Sequence, residues 1–87
     1  MKEKIIVVLN EMGLHARPAA MLVQNINEYQ STVKILKDDF EVDAKSIMGV
    51  ITLAAGQGSK LNFVADGPDE NEVLIAIENL FKSKFGE

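Results

Sequence analysis

The spacing of apolar residues changes its period repeatedly along the 87 residues of the chain. Residues 4–9 form a continuous apolar run that is rich in β-branched side chains, which predicts a buried strand. From Ala16 onward, apolar residues recur at intervals of three and four, as on one side of a helix that ends near residues 27–29. The members of that helical stripe are Ala19, Leu22, Val23 and Ile26.

The middle of the chain alternates between apolar and polar residues. Residues 33–44 alternate on both sides of Asp38 and Asp39, which predicts a β-hairpin with these two residues in its turn. Ser46 then precedes a short apolar run. Serine is a favourable N-cap, so we expect a brief helix over residues 47–53.

The last part of the chain predicts one more strand and one more helix. Residues 60–66 alternate as in a half-exposed strand, and an amphipathic helix follows Pro68 with acidic residues at its start. Lys82 and Lys84 are expected in the last turns of that helix, where cations are favourable. Its predicted buried stripe consists of Val73, Ala76, Ile77 and Leu80, with Leu74 and Phe81 beside it.

This order of elements predicts an α+β fold in which helices cover one face of a single sheet. The sequence contains no long linker and no repeat, so we expect a single domain over residues 1–87. There is no cysteine, so neither a disulfide nor a thiolate metal site can stabilise the chain. The net charge of −4 argues against nucleic-acid binding, and the longest apolar run is too short to span a bilayer. No signal peptide is recognisable, so we expect a cytoplasmic protein.

His15 and Arg17 are the only histidine and the only arginine, and they flank one alanine where the first helix is predicted to start. Pro18 is tolerated in a first helical turn, which places that start close to His15 or Ala16. A helix start offers N–H donors and partial positive charge to an anion, and a guanidinium adds a fork of donors. These groups favour a neutral, nucleophilic imidazole and would surround the oxygens of a phosphoryl group attached to it.

Simpler interpretations of His15 also exist. A lone histidine can be a surface residue or a helix N-cap without any chemical role. A metal site is poorly supported, because the chain has no second histidine and no cysteine to complete a ligand set.

Three segments of the sequence resemble the HPr family, the histidine-containing phosphocarriers of the sugar phosphotransferase system. They are GLHARPA (13–19), KSIMGV (45–50) and DGPDENE (66–72), and the resemblance extends over nearly the whole chain. It implies an open-faced β-sandwich, in which three helices cover one face of a four-stranded antiparallel sheet. Proteins of this family are stoichiometric carriers without a cofactor or metal, not turnover enzymes, and we expect a monomer.

The resemblance also implies partners and roles for the two residues of the first segment. His15 would be phosphorylated on Nδ1 by Enzyme I, which takes its phosphate from phosphoenolpyruvate. Enzyme IIA domains would then receive the phosphoryl group. Arg17 matches the arginine that stabilises the phosphate.

Ser46 has two compatible interpretations. The sequence pattern alone assigns it as a helix N-cap. The resemblance to HPr of the low-GC Gram-positive type implies that HPr kinase/phosphorylase phosphorylates it. A catabolite-control transcription factor would then be a further partner, in carbon catabolite repression. Asp43 stands where the family more often has asparagine, which places an additional negative charge near Ser46.

The short helix predicted after Ser46 carries three large apolar residues, Ile47, Met48 and Ile51, more than one side of two turns can bury. Those that stay exposed are expected to form a contact surface with Met21 and Ala20, near His15. Some of them could instead fill gaps in the core, as methionines often do. An exposed apolar patch with a polar rim is typical of a partner-binding site, and the resemblance favours that interpretation. The residues concerned are Met21, Ile47, Met48 and Ile51.

Three other interpretations remain open at this point. One is a regulator similar to Crh, the HPr-like protein of Bacillus-type bacteria, although such proteins lack the histidine that is present here as His15. Another is an HPr-like protein of a nitrogen-type or otherwise diverged phosphotransferase system without sugar transport. The third is a small ligand-binding α+β domain outside the family.

Overall fold

The computed structural model of the protein describes residues 1–86, and residue 87 of the predicted domain lies outside the described residues. Four strands form one antiparallel sheet in the order β1-β4-β2-β3. Three helices pack on one face of this sheet, so the predicted open-faced β-sandwich is confirmed. The elements are β1 (Lys2–Val7), α1 (Ala16–Ile26), β2 (Thr32–Lys37), β3 (Phe40–Asp43), α2 (Ile47–Thr52), β4 (Lys60–Asp66), α3 (Glu70–Lys82) and a short 3-10 turn (Lys84–Gly86).

The core lies between the sheet and the helices because apolar side chains alternate along the central strands. In β4 every second residue is buried, and in β2 Val33 and Ile35 occupy the same side of the sheet. Three aromatic rings pack edge-to-face in this layer, with centroids 5.6 Å apart for Phe63 and Phe81 and 4.9 Å apart for Phe81 and Phe85. Such pairs add to the stabilisation that burial provides.

The first strand differs from its prediction in position and in burial. It begins at Lys2, two residues before the predicted start, and it forms an edge of the sheet. Ile6 is buried, but Ile5 is 65% exposed. Successive residues of a strand point to opposite faces, and only one face of this sheet is covered by helices. The prediction of a buried strand was therefore wrong for the face that carries Ile5.

The hairpin and the two following elements agree closely with the sequence pattern. Asp38 and Asp39 form the turn, with Asp38 in the left-handed region at φ 53°. Phe40 is an exception, since it is 67% exposed although it shares a face of the strand with the half-buried Val42. It begins β3, which is the other edge strand of the sheet, and edge positions have neighbours on one side only.

The third helix ends earlier than predicted. Lys82 is its last residue, and Lys84 lies in the 3-10 turn with φ 55°. This change of direction allows Phe85 to reach the core. Along α3 the buried residues are Val73, Leu74, Ile77 and Phe81, whereas Ala76 and Leu80 are half-buried.

None of the helices in the described part of the chain has the length and hydropathy required to span a bilayer.

The start of α3 is tied to the loop before β2 through the carboxylate of Asp69. This carboxylate accepts hydrogen bonds from the backbone N–H groups of Gln30 and Ser31, both at 2.9 Å, and from the Ser31 hydroxyl. Gly67 passes close to this loop with φ 152°, and a Cβ there would lie 2.6 Å from the Ser31 Cα. The hydrogen bond from the Ser31 hydroxyl, followed by that from the Gln30 N–H, lowers the pKa of Asp69 below its ordinary value.

Replacing Asp69 with asparagine is therefore expected to destabilise the protein in a pH-dependent way. The pKa of Asp69 is lower in the folded state than in the unfolded state. The ionised carboxylate therefore contributes fully to the free energy of unfolding above about pH 4, and this contribution is lost as the pH falls through the folded-state pKa. The melting temperature of Asp69→Asn should be well below wild type at pH 7, and the gap should narrow toward pH 2. Glu72→Gln, an exposed carboxylate in the same helical turn, is the matched control and should show little change. A gap that stays constant from pH 7 to pH 2 would contradict a role for the charge.

Candidate functional site

His15 is the N-cap residue of α1, as the position of Pro18 predicted. Its backbone is extended, with φ −76° and ψ −174°, and its carbonyl accepts the first helical hydrogen bond from the Ala19 N–H at 3.0 Å. The imidazole makes no capping hydrogen bond and is partly exposed at the surface. The helix start therefore does not depend on the imidazole for its cap.

The first turn of α1 places several donors beside this imidazole. The backbone N–H groups of Ala16 and Arg17 have no intrahelical acceptor, and Pro18 has no N–H at all. Pro18 is buried, whereas the Arg17 side chain is exposed. Two backbone donors and an exposed guanidinium thus belong to the same turn, an arrangement suited to an anion held on the imidazole.

The loop before His15 is held in place by contacts that the sequence pattern did not reveal. Asn10 is buried and donates from Nδ2 to the Gly13 carbonyl at 2.6 Å. Gly13 has φ 69°, and a Cβ there would lie 2.8 Å from the Gly56 Cα, so only glycine fits this position. The Leu14 N–H donates to the Ala55 carbonyl at 2.9 Å. The sequence signal that could have revealed the hydrogen bond from Asn10 to Gly13 is an asparagine three residues before a glycine, shortly after a strand.

The helices α1 and α2 lie side by side in opposite directions. The residues just after α2 contact the loop before His15, while Asn27, at the end of α1, donates from Nδ2 to the Lys45 carbonyl at 3.2 Å. The Lys45 ammonium also donates to the Tyr29 carbonyl at 2.9 Å. His15 and Ser46 are therefore at opposite ends of the helix pair, separated by about the 16 Å length of α1.

Ser46 is the N-cap of α2. Its hydroxyl accepts from the Gly49 N–H at 3.3 Å, and its own N–H donates to the Asp43 carbonyl at 3.0 Å. The Asp43 carboxylate accepts from the Lys45 N–H at 2.9 Å, so it forms part of the turn that precedes the helix. The residue as a whole is partly exposed.

Most of the apolar residues of α2 face outward. Val50 is the only fully buried residue of this helix, while Met48 is 66% exposed. Ile47 and Ile51 are more than one third exposed as well. Met21 differs, because it is half-buried and packs against the core. The structure therefore brings three of the four predicted patch residues to one surface, and the fourth, Met21, is half-buried against the core.

Comparison with known proteins identifies the family. A family model described as the PTS HPr component phosphorylation site matches residues 2–83, which include the His15 segment. The chain belongs to the HPr family. The phosphocarrier protein HPr of Treponema pallidum is 51% identical over 84 residues, covering 97% of this chain and 96% of its own. The phosphocarrier protein HPr of Cupriavidus necator is 45% identical over 87 residues, covering 100% of this chain and 98% of its own.

Solved structures of HPr show the same fold. HPr of Thermoanaerobacter tengcongensis superimposes with a TM-score of 0.96 at 46% identity, covering 100% of this chain and 98% of its own. HPr of Bacillus anthracis superimposes with a TM-score of 0.88 at 40% identity, covering 92% of this chain and 95% of its own. Membership in the HPr family excludes a ligand-binding domain of another family. The predicted low-GC Gram-positive type is not confirmed, since the curated HPr relatives described above come from a spirochaete and a Gram-negative bacterium.

Proposed function

We propose that this HPr carries phosphoryl groups on His15, accepting them from Enzyme I and passing them to Enzyme IIA domains. The observation that carries the proposal is the position of a partly exposed imidazole at the start of α1, next to two backbone donors and Arg17. Membership in the HPr family supports the carrier role in the phosphotransferase system. The protein is a carrier that is consumed and regenerated stoichiometrically, not a turnover enzyme.

The chemistry requires positioning and charge stabilisation more than covalent assistance. A lone pair of the imidazole, on Nδ1 in our proposal, forms the N–P bond while the bond between phosphorus and its donor breaks. The electron pair of that broken bond returns to the donor. The phosphoryl oxygens then lie near the N–H groups of Ala16 and Arg17, and the guanidinium can turn to meet them.

The direct test is labelling with phosphoenolpyruvate and purified Enzyme I. We expect a mass increase of one phosphoryl group that is lost in acid and survives in base, as for a phosphoramidate. Adding an Enzyme IIA domain should return the carrier to its original mass. No labelling of the intact, folded chain would overturn the proposed function.

Arg17 is proposed to hold the phosphate, which a lysine cannot do in the same bidentate manner. We expect Arg17→Lys to slow phosphoryl transfer by about tenfold and Arg17→Glu by at least about a hundredfold. Lys60→Glu, an exposed charge reversal on β4, is the control and should transfer normally. Equal single-turnover rates for wild type and both Arg17 variants would show that Arg17 is only a solvated surface charge.

We further propose that Ser46 is phosphorylated by HPr kinase/phosphorylase and that the product contributes to carbon catabolite repression with a transcription factor. Support comes from the partial exposure of this residue and from its place at the positive end of α2, where a phosphate is compatible with the helix. Because Ser46 and His15 lie at opposite ends of the helix pair, the effect on transfer would act through the partner.

We also propose that residues 1–87 act as one cytoplasmic, monomeric domain.

The exposed residues of α2 are proposed to contact these partners. Ile47, Met48 and Ile51 form an apolar surface that the core does not use. Methionine side chains adapt to different surfaces, which suits a carrier that must bind a donor and an acceptor in turn. Met21 contributes less, since it is half-buried and packs against the core.

A further inference from the structure

The face of the sheet opposite the helices, here called the open face, carries apolar side chains near its centre. An antiparallel sheet with one covered face usually places apolar residues inward and polar residues outward. On β1, however, Ile5 is 65% exposed and Val7 is 38% exposed. Val64 and Leu36 are half-buried on the two central strands. Each of these residues is next to a core residue in its strand, so all of them belong to the open face.

The strand register gathers three of these side chains around Asn62. Ile5 on β1 and Leu36 on β2 are the residues directly opposite Asn62 on its two sides. Val64 is two residues further along β4, on the same face and within reach of both. The Asn62 Oδ1 atom is shielded from solvent and accepts no hydrogen bond from the described residues. Asn62 itself is only half-buried, so its amide can turn outward, and an occupant with an N–H group would satisfy this acceptor.

Carboxylates surround this apolar centre. An open groove of about 370 Å³ lies on the open face, with Val64 and Leu36 among the residues that line it. Its rim carries three exposed carboxylates and the exposed ammonium of Lys34. The carboxylates are those of Glu3, Glu41 and Asp66. Lys34 Nζ lies 3.5 Å from the Glu41 carboxylate, but both side chains are 58% exposed, so this ion pair is weak.

The open face as a whole also has an excess of acidic groups. On the outward side of β3, Asp43 adds a fourth carboxylate, and on β4 Lys60 adds a second ammonium. The Met1 amino group is 3.6 Å from the Asp66 carboxylate, but it lies closer to that of Glu70, at 3.2 Å, which offsets its charge. Four side-chain carboxylates thus outnumber two ammonium groups, on a chain that carries −4 overall. This face therefore complements a cationic surface.

The backbone of the sheet limits the kind of segment that fits this groove. Strands β4 and β2 are each paired on both sides, so their N–H and C=O groups are engaged within the sheet. An extended segment lying on this face would find no backbone partner in the central strands. A helix satisfies its own backbone groups and brings only side chains to the surface. The groove therefore favours a helix.

We propose that the open face of the sheet binds a basic amphipathic helix of a partner protein. The apolar side of that helix would lie over Val64 and Leu36, and its lysines or arginines would meet the carboxylates of the rim. His15 begins α1 in the helix layer on the opposite face, so the partner would stay bound while His15 is free to react. The inference does not depend on the proposed function, because it concerns the other side of the molecule.

The probe is a synthetic peptide of about 18 residues made of leucine, alanine and lysine, with leucines on one side of the helix and lysines along both borders. Such a helix is about 27 Å long, enough to lie along the 7 residues of β4, which extend about 23 Å. An isomer of the same composition has its leucines spread around the helix. In fluorescence anisotropy at about 0.15 M salt, the amphipathic peptide should bind at least about tenfold more tightly than the isomer.

Two pairs of variants locate the binding on the open face. Ile5→Ala should weaken binding by about fivefold or more, whereas Ile75→Ala, at a 59% exposed position on α3, should leave it unchanged. Glu3→Lys should weaken binding by about tenfold or more. Glu72→Lys makes the same change in net charge at an exposed position on α3 and should weaken it by less than about threefold. In nuclear magnetic resonance spectra, the bound peptide should shift the amide signals of β2 and β4 and leave the His15 ring signals in place.

The opposite results would each overturn the proposal. No binding of the amphipathic peptide at concentrations up to about 1 mM would show that the groove does not accept such a helix. Equal affinities for the two peptides would reduce the effect to the attraction of cations by an acidic chain. Signals that shift at His15 instead of β2 and β4 would place the peptide on the helix layer. A doubled molecular mass in light scattering that Ile5→Ala returns to that of one chain would assign the open face to a second copy.

Discussion

His15→Ala is expected to abolish labelling from phosphoenolpyruvate and Enzyme I completely. His15 is the only histidine in the chain, so no other imidazole can accept the phosphoryl group. Alanine provides no nucleophile, and the donors in the first turn of α1 cannot replace the missing N–P bond. The measurement is the acid-labile phosphate bound per chain, read by intact-protein mass spectrometry.

The folded state of His15→Ala should stay close to wild type, which makes the result interpretable. The imidazole makes no capping hydrogen bond, and the Ala19 N–H bonds to the backbone carbonyl of residue 15, which alanine retains. Gln24→Ala, a change at an exposed polar position on the same helix, is the matched control and should be labelled normally. Undiminished acid-labile labelling of His15→Ala would contradict the carrier mechanism.

Ser46→Asp is expected to slow phosphorylation of His15 by about tenfold to a thousandfold while leaving the fold intact. Aspartate is itself a good N-cap, and its charge lies at the positive end of α2, so the melting temperature should hardly change. The surface next to it is apolar, and a charge buried there loses its hydration. Most of the defect should therefore persist at about 0.5 M salt, because screening does not restore lost hydration.

Two neutral variants isolate the charge from the cap. Ser46→Asn keeps a capping side chain of similar shape and should transfer at nearly the wild-type rate. Ser46→Ala loses the hydrogen bond from the Gly49 N–H and should cost about 1 kcal/mol of stability without slowing transfer. The decisive comparison is the rate of His15 phosphorylation by Enzyme I for the aspartate and asparagine variants. Equal rates would leave Ser46 as a helix cap only.

The order of the elements could be predicted because their apolar periods are local. The period change near Ala16 and the position of Pro18 placed the start of α1 correctly, since both act through the backbone of a few adjacent residues. The same local reasoning placed His15 and Arg17 in one turn. Ser46 was predicted as an N-cap for the same reason, because capping involves only the next three residues.

The contacts between distant parts of the chain were decided only by the tertiary structure. A continuous apolar run does not reveal that β1 is an edge strand whose Ile5 stays exposed, because exposure depends on which sheet face the helices cover. The hydrogen bonds from Asn10 to the Gly13 carbonyl and from the Leu14 N–H to the Ala55 carbonyl likewise depend on packing that no local pattern records.

The separation of His15 from Ser46 is the clearest case of this kind. The sequence determined that each residue begins a helix, and this follows from backbone geometry within one turn. It did not determine that the two helices run in opposite directions, which results from how their apolar sides pack on one sheet. Packing of this kind joins residues that are far apart in the chain, so it alone set the Ser46 hydroxyl and the His15 imidazole at opposite ends of the pair formed by α1 and α2.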